Sequence, residues 1–364
     1  MNPNRRVYLV PGFFGFTNLG DLSYWGHVHT LLTRRLDVPI HAVPTPPTAS
    51  LPVRATVLAR TIAATAHPDD ELILIGHSSG GLDARLLCTP GVDLGLDVES
   101  IAARVTSVVT VSTPHAGTPI AGAFATLQGR HVLRVLSAAT ALILRRRSLP
   151  LSLVVRLGEV LTIADAENGV LDNLYEQLLG SFTDERRDQV RELFESVGRD
   201  QSLLEQLRPE SFDVFNAATR DRPGVRHGCV VTRAKRPGLG EALKTVLSPA
   251  AQASYAWYVA TWTLASRSDP ARLPTPNDAQ RRQLAQLEAF PEAADNDGMV
   301  PTLSQVRGEV IRAVDGDHLD VLGHFGDSAT DPPHADWIRT GSGFDSERFD
   351  RVWGDVADFV TQAS

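Results

Sequence analysis

Short apolar runs alternate with stretches of helical periodicity through the first third of the chain. Residues 7–10 are apolar and are stopped by Pro11-Gly12. A weaker run at 39–43 leads into a proline-rich loop, Pro44-Thr45-Pro46-Pro47. Residues 53–67 carry no internal breaker and are rich in Ala, Leu and Arg, which predicts a helix. Residues 71–75 form a buried-strand pattern ending at Gly76, and 80–88 read as the helix that follows. The β-branched run 105–111 ends at Ser112-Thr113-Pro114. Strands alternating with helices predict an α/β protein with a mostly parallel sheet and crossover helices on its faces.

Beyond residue 117 the pattern changes. Residues 118–224 show helical signals and few strand signals, and strand patterns return at 225–232 and 309–314. A second excursion, 237–294, holds an aromatic stretch with Tyr255, Trp257, Tyr258 and Trp262. A final helix is expected over 347–360, where Phe349, Val352, Trp353, Val356 and Val360 share one face. These breaks divide the chain into a core, 1–117 with 225–364, and a helical cap insertion at 118–224. The apolar stretch 135–144 is ended by Arg145-Arg146-Arg147 and is too short to span a bilayer.

Composition narrows the class. A chain of 364 residues, 43% hydrophobic and 21% charged, can bury a sizeable core. Its net charge of -8 gives no overall attraction to nucleic acid or anionic membranes. Cys88 and Cys229 are the two cysteines, too few for a disulfide framework, and are read as buried thiols. No export signal is read at the N-terminus. The expected location is therefore the cytoplasm as written, or outside the cell if a leader has been trimmed.

One segment carries chemistry. Gly76-His77-Ser78-Ser79-Gly80 has the Gly-x-Ser-x-Gly pattern, lying between a predicted strand and a predicted helix. That setting forces the serine onto a tight, strained turn with its hydroxyl at the edge of the sheet, and aims the helix amides at a developing oxyanion. A serine hydroxyl needs a histidine base, itself oriented by a carboxylate, and in such a fold the order is Ser, acid, His. His27, His29, His41 and His67 precede Ser78, and His77 cannot fold back on it. His115 is read as a supporting loop residue. His318, just past the last strand, is the favoured base, with His324 and His334 as alternatives. The loop Asp295-Asn296-Asp297-Gly298 precedes that strand; Asp297 is the favoured acid and Asp295 the alternative.

Five segments together resemble the α/β-hydrolase superfamily, and within it the bacterial triacylglycerol lipases. They are Leu9-Val10-Pro11-Gly12-Phe13-Phe14-Gly15, Gly76-His77-Ser78-Ser79-Gly80-Gly81, Ser112-Thr113-Pro114-His115-Ala116-Gly117, Asn296-Asp297-Gly298-Met299-Val300, and the stretch from Gly308-Glu309-Val310-Ile311 to His318-Leu319-Asp320. The resemblance covers about residues 6–117 and 225–330, and little of the two excursions.

The resemblance implies Ser78 as nucleophile, Asp297 as acid, His318 as base, and an oxyanion hole built from the backbone amides of Phe13 and Ser79. The family's usual His-Gly at the start of the first loop is Pro11-Gly12 here. The change spares the Phe13 amide and removes whatever the histidine side chain would bond. No cofactor is implied for the chemistry. A structural calcium held by Asp320 and Asp278 is implied, but the family's glutamine ligand position holds His324. The favoured expectation is that Asp320 caps or pairs with a neighbour instead. The expected function is hydrolysis of lipid-like carboxylic esters, with a cap that lines the acyl site and touches a lipid interface. Acyl transfer, or thioester, amide or lactone hydrolysis, would use the same residues. A silent hydrolase-fold binding protein would lack one of them.

Overall fold

The computed structural model describes residues 5–13, 24–125, 200–245, 249–330, 333, 334, 336 and 338–362. Six strands are β1 (Arg5–Val10), β2 (Ile40–Ala42), β3 (Glu71–His77), β4 (Val105–Val111), β5 (Arg226–Arg233) and β6 (Glu309–Asp315). They form one sheet in the order β2-β1-β3-β4-β5-β6, with every neighbouring pair parallel. Each strand expected from the sequence is present.

Side chains alternate across the strands, so each strand feeds two cores. Val7, Leu9, Ile73, Ile75, Val109 and Val111 face one layer. That layer contains α1 (Gly26–Leu36) and the closing helix, which runs Ser346–Thr361. Tyr8, Val10, Leu72, Leu74 and Val108 face the other layer. It contains α2 (Leu51–Thr65), α3 (Ser79–Cys88) and α4 (Val98–Ala102). The sheet is therefore covered on both faces, which accounts for the near-continuous apolar character of its strands. Helix α1 was not anticipated. Its apolar stripe is only Val28, Leu32 and Leu36, set among polar residues, and no side chain caps its start. Cys88 and Cys229 are both buried free thiols, and burial pushes each up to about 12.

The described part of the 118–224 stretch comprises α5 (Pro119–Ala125), α6 (Ser202–Gln206) and α7 (Pro209–Ala218). The second excursion contributes α8 (Leu239–Thr245), α9 (Pro249–Ala265) and α10 (Asp278–Leu284). The closing helix is α11, N-capped by Asp345, whose carboxylate accepts from the Arg348 amide. Among the described residues no helix is long and apolar enough to cross a membrane.

Candidate active site

Strand β3 runs one residue past Gly76, and α3 begins at Ser79, so Ser78 is the whole connection. Its backbone has φ 54 and ψ -130, a conformation that L residues seldom adopt. Ser78 N donates to Val111 O at 2.8 Å, and Ser78 O accepts from Gly81 N at 3.2 Å. Strain at Ser78 is thus held by bonds on both sides. The turn also needs Gly80, because any Cβ there would overlap the backbone of Val10 and Pro11. The serine sits where β3 meets the edge formed by β1 and β4.

His318 follows β6, and its Nδ1 lies 2.8 Å from Asp297 Oδ2, with both side chains buried. The backbones are joined as well: His318 N donates to Asp297 O at 2.9 Å. Asp297 is over-determined. Its Oδ1 accepts from the amides of Met299 (3.0 Å) and Val300 (2.7 Å). Its Oδ2 accepts from Thr232 Oγ1 (2.8 Å) and Gln305 Nε2 (3.2 Å) as well as facing the imidazole. That many donors fix the carboxylate in one orientation. Thr232 and Gln305 were not singled out from the sequence. They come from β5 and from the short 3-10 turn Thr302–Gln305, and only pairing of β5 with β6 brings them to the acid.

The alternatives lie elsewhere. Asp295 Oδ1 accepts from Arg236 Nε at 3.0 Å, and its Oδ2 accepts from the Glu292 amide. His334 Nδ1 meets Gly323 O at 2.7 Å, with its ring stacked on His27 and Phe325. His324 is half-buried, and burial pushes it down to about 3. His115 bonds Arg85 through Nδ1 and Thr110 through Nε2, each at 3.1 Å, as a loop support would.

Ser78 and His318 line the same pocket, a cavity of about 50 Å³ that opens partly to solvent. Its other walls are mainly apolar. Phe13 comes from the first loop, Ile120, Ala121 and Phe124 from α5, Leu204 from α6, and Met299 and Val300 from the Asp297 loop. Phe13 lines this pocket, and Ser79 follows Ser78 as the first residue of α3. The segment after Val111 therefore does reach the serine. Leu142, Ile143, Leu144, Leu149, Leu151, Leu153 and Val154, which the sequence suggested as cap lining, lie outside the described residues.

Asp278 and Asp320 are not brought together. Gln280, in the first turn of α10, holds Gly308 O at the start of β6. Asp320 lies beyond the end of that strand, about 20 Å away at the rise of an extended chain. Asp278 is exposed. Asp320 is buried and accepts from the Asp317 amide (2.9 Å) and the Ser342 hydroxyl (2.7 Å). Among the described residues no group of three or more His, Cys, Asp or Glu side chains is placed to hold a metal ion. The donor set does not fit the implied calcium.

No protein-family model matches the chain, and no curated protein matches it in sequence. Solved structures do match. The lipase of Staphylococcus hyicus aligns at TM-score 0.54 and 14% identity, over 99% of this chain and 95% of that one. Lipase 1 from Pelosinus fermentans aligns at 0.54 and 15%, over 100% of both chains. EstA from Clostridium botulinum aligns at 0.52 and 18%, over 96% of this chain and 87% of that one. The chain has the α/β-hydrolase fold. Within the hydrolase fold, Ser78 occupies the strand-to-helix elbow and His318 the loop after the last strand of the described sheet. A shared fold does not carry an activity with it, so function is argued from the site.

Proposed function

We propose that this chain is a serine carboxylic-ester hydrolase acting on lipid-like esters. The reading is carried by one observation: a fully bonded Asp297 lies 2.8 Å from His318 in a pocket that His318 shares with the strained Ser78. In this reading His318 Nε2 takes the Ser78 proton as Oγ attacks the ester carbonyl. Asp297 holds the Nδ1 proton and steadies the imidazolium. The tetrahedral oxyanion is met by the amides of Phe13 and Ser79. The alcohol departs with the proton from His318, and water, deprotonated by the same imidazole, releases the acid from Ser78.

Lipid-like substrates are favoured because the pocket walls from α5, α6 and the Asp297 loop are apolar. Each buried methylene of an acyl chain contributes about 0.8 kcal/mol. Two of the fold neighbours are named lipases, which supports this reading. No metal enters the scheme. A fluorophosphonate probe is expected to label Ser78, and Ser78→Ala to abolish both labelling and ester hydrolysis. Labelling that survives the substitution overturns the assignment. A p-nitrophenyl ester series is expected to favour medium and long acyl chains. Activity confined to acetate and butyrate overturns the lipid-like part alone.

A further inference from the structure

His77 cannot be the base, yet it is buried between the two residues that flank the reaction. Its Nε2 lies 2.8 Å from His318 O, and its Nδ1 lies 2.6 Å from Tyr24 Oη. Tyr24 Oη in turn lies 3.1 Å from Gly12 N. The direction of each bond follows from donor arithmetic. A backbone carbonyl only accepts, so His77 Nε2 carries the proton and donates to His318 O. Burial, with His318 and His324 close by, drives the His77 ring well below its ordinary value and keeps it neutral. A neutral ring with Nε2–H must accept at Nδ1, so Tyr24 donates there. The Tyr24 oxygen is left to accept from Gly12 N–H. Every donor and acceptor in the chain is used once, in one direction.

The far end of the same peptide is held too. Pro11 O and Gly12 N belong to one planar unit. Pro11 O accepts from Arg54 Nη2 at 2.6 Å, and Arg54 is fixed by a fully buried ion pair with Asp83. The Pro11–Gly12 peptide is therefore gripped at both ends, leaving rotation about Gly12 as the freedom before the Phe13 amide. Gly12 is also pressed on the nucleophile: a Cβ there would stand 2.5 Å from Ser78 Cβ.

We propose that Tyr24 and His77 are positioning residues whose one-way hydrogen-bond chain holds the oxyanion loop, the Ser78 elbow and the His318 backbone in register. This rests on the hydrolase reading above. Without the Tyr24 hydroxyl, Gly12 N–H and His77 Nδ1 lose their partners, and the Pro11–Gly12 peptide loses its hold at the Gly12 end while Arg54 still holds Pro11 O. Misplacement of about 1 Å costs about a hundredfold in rate.

The test compares Tyr24→Phe, His77→Gln and His77→Leu with wild type and with Ser78→Ala, on one soluble p-nitrophenyl ester. Tyr24→Phe is expected to lower kcat by about tenfold to a hundredfold with KM nearly unchanged, since binding of the acyl chain does not use this chain of bonds. His77→Gln keeps a donor and an acceptor and is expected to retain more kcat than His77→Leu. A Tyr24→Phe kcat within about threefold of wild type, or a loss carried by KM, overturns the positioning role. Turnover that persists in Ser78→Ala overturns the hydrolase reading instead. If the variants do not fold, nitrogen NMR of histidine-labelled wild type decides. A His77 ring protonated at Nε2 and bare at Nδ1 supports the chain, and the opposite tautomer or a charged ring overturns it.

Discussion

Asp297→Asn isolates the orienting carboxylate without changing its shape. The two Oδ1 bonds come from backbone amides, which only donate, so the asparagine must turn its oxygen toward Met299 and Val300. Its NH₂ then takes the Oδ2 position, 2.8 Å from His318 Nδ1. Two donors cannot face each other, so the imidazole must place its proton on Nε2, where it can no longer accept from Ser78. Loss of the correct tautomer in such triads costs about 10⁴ in kcat, or about 5.5 kcal/mol of transition-state stabilisation. Stability also falls, because Thr232 Oγ1 and Gln305 Nε2 lose an acceptor in a buried site; a partner lost there costs about 1–3 kcal/mol. Burst and steady-state kinetics on a p-nitrophenyl ester, beside thermal unfolding of the same samples, separate the two effects. The expected result is a folded protein whose acylation has nearly vanished. A folded variant with kcat within about tenfold of wild type would refute the argument and release Asp297 from the orienting role.

Three other outcomes follow from particular contacts. Gly80→Ala places a methyl against the Val10 and Pro11 backbone, so little folded protein is expected; a variant with wild-type melting temperature and labelling would show that the elbow can widen. Burial lowers His27 to about 4 and His324 to about 3, against 6.5 when unfolded. At these two rings the unfolded chain therefore binds more protons across that interval, so their contribution to stability falls as pH drops from 6.5 toward the folded values. Between neutral pH and about pH 5 the wild-type melting temperature should lose ground relative to that of His324→Gln; equal slopes refute it. Chelator should leave the melting temperature unaltered, since Asp278 and Asp320 lie at opposite ends of β6. A clear drop would instead place a metal on the fold.

Local pattern was enough for much of this molecule. Apolar runs of four to seven residues marked the strands because burial on both faces of a parallel sheet demands them, and the glycines marked the elbow because the turn has no room for side chains. Chain order then ranked His318 and Asp297 above their neighbours. Other features depended on which strands lie side by side. Asp295 and Asp297 are two positions apart in one loop, yet one faces Arg236 and the other His318, a choice made by the register of β5 against β6. The resemblance pairs Asp278 with Asp320, but β6 runs its full length between them. Tyr24 and α1 had no local signature, and chain position excluded His77 as a base without giving it another role. Its bond to His318 joins residues 241 positions apart, and such a bond exists only because β3 ends beside the loop that leaves β6. Periodicity reports what each residue's neighbours in the chain require of it, whereas a hydrogen bond across the sheet edge reports the order in which the strands were assembled.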